Sequence, residues 1–312
     1  MMPPTPSSVA QSPFVKGIDL LTTTIQGLQR YLSTGMINSE ELVTEYLRRI
    51  EADNHQGCEL GAVLEVAPWQ KLRDEARRLD ELRKTGVVLS ELHGVPLLIK
   101  DSIATDHDLG METTAGSFAL KGSVVPGEAT VVANLRRKGA IILGKANLTE
   151  FSGITGVSGP EWSGRGGICS SAYVPGGDPS GSSGGSAVGT SAGTTEQPST
   201  DYTQYTQMPF ATFQGKKLGV PRRTVFDDTE NWKGCFTKDD LNQIEQIFNQ
   251  AIAKMQVLGA VIEDPADMIS LGKISISSFL KDIITNEFRG CFEAYLRTLQ
   301  HSKVNSLKEL IA

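Results

Sequence analysis

The chain has 312 residues, 39% of them hydrophobic, enough to bury a large core in one big domain or two small ones. Its 30 Lys and Arg are outnumbered by 36 Asp and Glu, for a formal net charge of −6, and no dense basic run is available to neutralise a row of phosphates, so no nucleic-acid partner is expected. Four cysteines (Cys58, Cys169, Cys235, Cys291) stand far apart and four histidines (His55, His93, His107, His301) form no His-Glu-x-x-His pattern, which points to reduced thiols and no protein-bound metal.

Residues 1–16, "MMPPTPSSVAQSPFVK", are rich in Pro and Ser and lack the basic start, apolar core and cleavage site of a secretory signal, so a disordered N-terminus is expected. No long uncharged apolar run follows. A soluble cytoplasmic protein with no membrane partner is the resulting expectation. "INSEELVTEYLRRIEADN" offers Asn38 or Ser39 as a cap and sets Leu42, Val43, Tyr46, Leu47 and Ile50 on one helical face. "APWQKLRDEARRLDELRKTG" repeats the pattern with a charged outer side and Gly86 at its end. "GVPLLIKDSIA" is a short continuous apolar run that predicts a strand covered on both faces, with Lys100 at its far end. "ATVVANLRRKGAIILGKANLTEF" reads as helix, glycine turn, buried strand and loop, a βαβ rhythm that places the chain in the α/β class.

The run "GGDPSGSSGGSAVGTSAG", Gly176 to Gly193, is open to several readings from its residues alone. It can be a flexible linker, although Ala187 and Val188 invite a helix at its end. The spacing Gly184 to Gly189 is that of a phosphate loop, but Thr190 stands where a lysine belongs. Gly181, Ser183 and Gly185 spell a nucleophile elbow with His301 downstream, yet no hydrophobic strand leads into it. Beyond it, residues 190–214 are polar and aperiodic and read as an irregular connector. "KKLGVPRR" then predicts a short strand, "KDDLNQIEQIFNQAIAKMQVLGAVIED" a helix closed by Gly259 and a second strand, and "ISSFLKDIITNEFRGCFEAYLRTL" a final helix.

Lys100 and Ser182 taken together, with "LHGVPLLIKDSI", "TTAGSFALKG", "VVANLRRKGAIILGKANLTEF", "YVPGGDPSGSSGGSAVG" and "GKKLGVPRR" in that order, resemble the amidase signature hydrolases, in wording closest to fungal members. The resemblance implies an amidase signature fold over residues 1–312 as a single domain: a mixed, largely parallel sheet with helices on both faces. It implies hydrolysis of small carboxylic amides by a Ser, cis-Ser, Lys triad with no metal or cofactor. Lys100 corresponds to the base of that triad. A lysine buried behind "VPLLI" is costly to charge, so desolvation favours the neutral amine; the plain alternative is an ordinary lysine at a strand end. Ser182 matches the serine that bridges the lysine to the nucleophile from a cis peptide. Ser183 matches a loop-supporting serine, or is simply a surface hydroxyl in a turn. Gly184 and Gly185 let the following helix begin close to the site.

Two departures are visible. Ser102 replaces an asparagine of the family pattern beside the lysine. More seriously, the "GTDTGGS"-like turn that carries the nucleophilic serine and the oxyanion donors is absent, since "SAVGTSAG" runs straight into "TTEQPSTDYTQYTQ". Thr206 falls near the nucleophile's place in an ungapped alignment, but no glycines accompany it. An internal deletion within 190–214, with an end at Ala312 short of the family's usual C-terminal portion, predicts an incomplete fold and weak or absent activity. The alternatives are a non-catalytic protein that binds an amide ligand or a partner, and an incomplete gene product.

Overall fold

The computed structural model describes residues 14–154, 161–193, 213–222, 237–267 and 276–311. The sequence reads as a single domain, whereas the chain divides into two compact units, residues 1–201 with 289–312 and residues 202–288.

The first unit opens with a hairpin of β1 (Phe14–Val15) and β2 (Ile18–Asp19). Ordered structure therefore begins inside the stretch expected to be disordered up to residue 16, because Val15 packs on the apolar core; residues 1–13 lie outside the described residues. Helix α1 (Ile25–Ser33) is capped by Thr24, whose hydroxyl accepts the Gly27 N–H at 3.2 Å. Helix α2 (Ser39–Asp53) uses Asn38 as its cap: Asn38 Oδ1 accepts the Glu41 N–H at 2.8 Å while Glu41 Oε2 accepts the Asn38 N–H at 3.1 Å. The predicted stripe is buried at Leu42, Val43, Tyr46 and Ile50 and packs on Leu72, Ala76 and Leu79 of α3 (Trp69–Lys84). Each buried leucine in this layer contributes about 2 kcal/mol.

A three-stranded sheet of order β3-β5-β4 lies against these helices. Strand β4 (Pro96–Lys100) runs parallel to β5 (Ile141–Ala146), and α4 (Thr130–Arg137) stands in the crossover that a parallel pair requires. Strand β3 (Val63–Val66) takes the other side of β5 in antiparallel sense. All six residues of β5 are buried. A hairpin of β6 (Trp162–Ser163) and β7 (Gly167–Ile168) follows, then α5 (Gly184–Ser191), which packs on β4 and β5. Thr190 and Ser191 complete α5 and Ala192 caps it, rather than opening the connector expected from residue 190, and residues 194–212 of that connector lie outside the described residues. Arg49 of α2 closes the end of α5 by donating from Nε to the Gly193 carbonyl at 2.8 Å, a cation where the helix dipole is negative.

In the second unit β8 (Lys217–Gly219) pairs in parallel with β9 (Val261–Glu263), joined through α6 (Lys238–Val257), which Thr237 and Asp240 cap reciprocally. These elements pair among themselves, which accounts for a unit of their own. Helices α7 (Ile276–Thr298) and α8 (Leu307–Ile311) complete the described elements. The fold is α/β with a mixed sheet. Among the described residues β4–β5 and β8–β9 pair in parallel and β3 joins the open edge of β5 in antiparallel sense, while tight turns close the separate β1–β2 and β6–β7 hairpins. Among the described residues no helix is long and apolar enough to cross a membrane.

Candidate active site

Lys100 is the last residue of β4, and its position follows from the strand itself: "PLLIK" pairs with β5 up to Lys100 opposite Ala146. The turn beyond it is held by Asp101, which is fully buried; its Oδ2 accepts the Thr114 hydroxyl at 2.6 Å and the Gly116 N–H at 2.8 Å. Ser102, the residue that departs from the family pattern, is exposed. Asp101 rather than residue 102 anchors the turn.

The serine pair arrives on the loop before α5. This loop is tied at several points: the Ser170 hydroxyl accepts the Gly176 N–H at 2.8 Å, Ser171 N–H donates to Gly177 O at 2.8 Å, and Asp178 accepts the Ser180 N–H at 2.9 Å. A tethered loop excludes the flexible-linker reading. The Gly181–Ser182 peptide is cis. Ser183 is the N-cap of α5, and Gly184 and Gly185 are its first two residues, both buried. A side chain on Gly185 could not be accommodated, since its Cβ would stand 2.5 Å from the Ala62 carbonyl oxygen and nearer still to that of Asn147. The helix thus starts in direct contact with the end of β5.

Strand end and loop meet at one atom. Lys100 Nζ donates to Ser182 Oγ at 2.9 Å and to Ser183 Oγ at 2.8 Å. Burial lowers the Lys100 pKa from its ordinary value, and the nearby charge of Glu161 opposes that shift without cancelling it. A half-buried amine at the edge of a pair of hydroxyls can take a proton from one of them and return it. Ser183 lies as close to Lys100 as Ser182 does, so the residue read as loop support is a direct neighbour of the amine.

No sequence pattern marks Glu161. It is 1% exposed, its Oε1 accepts the Gly184 N–H at 2.9 Å, and burial pushes its carboxyl up to about 7. His301 is exposed, bridges Val124 through its main chain, and shares no hydrogen bond with Ser183 among the described residues, which removes the elbow reading. Thr206 lies outside the described residues. Among the described residues no three His, Cys, Asp or Glu side chains are grouped to hold a metal ion.

The family model described as Amidase matches residues 41–196, half of the chain and the whole of this cluster. The chain belongs to the amidase family. A protein of Schizosaccharomyces pombe named as an amidase is 35% identical over 181 residues, 56% of this chain and 30% of that relative. An Arabidopsis thaliana protein named as an amidase is 42% identical over 160 residues, 51% of this chain and 30% of its own length. A glutamyl-tRNA(Gln) amidotransferase subunit from a Synechococcus species is 36% identical over 165 residues, covering 53% and 32% of the two chains. The amidase-family match therefore spans about a third of these curated relatives. Among solved structures, the native peptide amidase of Stenotrophomonas maltophilia superposes with a TM-score of 0.70 at 25% identity, over 93% of this chain and 70% of that one. The fold is that of the amidase family.

Proposed function

We propose that Lys100 and Ser182 form the proton relay of an amide-hydrolysing site for small carboxylic amides, and that the chain turns such amides over weakly or not at all. The observation that carries the reading is the contact of Lys100 Nζ with Ser182 Oγ at 2.9 Å, together with a lysine pKa lowered by burial. In this reading Lys100 accepts a proton through Ser182 from an attacking hydroxyl and passes it back to the leaving amine. The limit on rate comes from the sequence. No "GTDTGGS"-like turn follows "SAVGTSAG", and losing even one oxyanion donor costs about a hundred- to a thousandfold in rate.

The test is an assay of the purified chain, Lys100→Met and Ser182→Ala on simple aliphatic and aryl amides. Turnover that is small in the unaltered chain and vanishes in both variants supports the relay. Brisk turnover that survives Lys100→Met would overturn it. Saturable binding of an amide without hydrolysis, measured by calorimetry, would replace it with the reading of a binding protein that has kept the site.

A further inference from the structure

The buried carboxyl of Glu161 has no part in the reading above, yet it is packed against the serine loop and the first turn of α5. Glu161 precedes β6, and its main-chain carbonyl accepts the Cys169 N–H at 2.9 Å, which fixes the residue across the β6–β7 hairpin. Its side chain reaches the first turn of α5. Oε1 accepts the Gly184 N–H, and the Gly185 N–H also bonds to the carboxyl, so Glu161 supplies the acceptor that the Ser183 side chain does not provide to the start of this helix. Oε2 is buried with no hydrogen-bond partner. A Cβ on Gly184 would overlap that oxygen, and one on Gly181 would lie 3.8 Å from it. The carboxyl is therefore packed against both glycines that flank Ser182 and Ser183, the two hydroxyls that receive Lys100.

The charged groups that act on this carboxyl come from two elements, and a thiol on a third feels its charge. Lys100 at the end of β4 favours its ionised form, Asp178 in the loop disfavours it, and the Cys169 thiol beyond β7 is itself pushed up to about 12, by burial first and then by the charges of Glu161 and Asp178. An anion with one oxygen dry and unpartnered is expensive, and the ammonium of Lys100 is the cation that compensates it. The influence is mutual: the Glu161 charge favours the ammonium of Lys100 as the Lys100 charge favours the carboxylate.

We infer that Glu161 is a positioning residue of this site: its carboxyl fixes the start of α5 through the Gly184 N–H, and its negative charge holds the proton on Lys100. Neutralising the carboxyl frees the amine. The inference rests on the relay reading of Lys100, and its test separates the two. Lys100 reactivity toward a small acylating reagent, acetic anhydride, is followed by mass spectrometry of its peptide across pH in the unaltered chain and in Glu161→Gln, which retains an oxygen to accept the Gly184 N–H. The amine of Glu161→Gln should react about three- to tenfold faster at pH 8, with its profile displaced to lower pH. In Lys100→Met the Glu161 carboxyl, followed by 13C resonance, should in turn titrate at higher pH than in the unaltered chain. That second arm decides the matter if Glu161→Gln does not fold. Unchanged profiles in the variants, with Lys100 of the unaltered chain still titrating below the ordinary lysine value, would overturn the inference and leave the relay standing. An ordinary lysine profile in the unaltered chain would remove the relay itself.

Discussion

The Gly184 N–H donates to Glu161 Oε1 at 2.9 Å, and the other oxygen of that carboxyl occupies the space a side chain on Gly184 would need. Gly184→Ala should therefore destabilise the fold by about 1–3 kcal/mol in urea unfolding. The obstacle is the end of a side chain, so the same substitution in a Glu161→Ala background should cost clearly less. Gly185→Ala meets the carbonyls of Ala62 and Asn147, which are backbone, and should cost the same in both backgrounds. Equal costs for Gly184→Ala in the two backgrounds would separate Glu161 from the loop.

Glu161 also ties stability to pH. Its carboxyl is raised from an ordinary 4.5 to about 7 in the folded chain, so the folded state holds this proton more tightly than the unfolded one. The contribution is complete below about pH 4.5 and is lost as pH rises to about 7, an effect on the order of 3 kcal/mol. Unfolding free energy measured between these pH values should fall more steeply in the unaltered chain than in Glu161→Gln. Parallel curves would show that this carboxyl titrates in the ordinary range.

A second buried charge pair supports the site from below. Lys145 and Asp101 are both fully buried with Nζ and Oδ1 3.9 Å apart, and Lys145 also donates to Ile103 O at 2.7 Å and Thr113 Oγ1 at 3.0 Å. Lys145→Met leaves the Asp101 carboxylate without its cation and should cost about 3–5 kcal/mol. The double variant Lys145→Met, Asp101→Asn should cost less than the sum of the single ones. Additive losses would mean that the two charges do not act as a pair.

Helix α2 is legible in the sequence because Leu42, Val43, Tyr46 and Ile50 repeat on one helical face, and strands β4 and β5 because each centres on a short apolar run between turn signals, the first leading to Lys100. Strand β3 is not, since it has four residues, one of them Glu65, and owes its place to the open edge of β5. Lys100 and Ser182 stand 82 positions apart, and no local pattern joins them; only the resemblance of the flanking motifs does. Glu161 has no such signal. A single acidic residue between Pro160 and Trp162 looks like surface, and its burial arises from the β6–β7 hairpin and the α5 turn closing over it.

The relay depends above all on the state of one amine, and 15N resonance of the Lys100 side chain across pH reads it without any need for turnover. The expected midpoint lies clearly below the ordinary 10.5, because burial beside Ser182 and Ser183 penalises the ammonium. A midpoint at or above 10.5 would mean a solvated lysine at a strand end, with no base for Ser182 to serve.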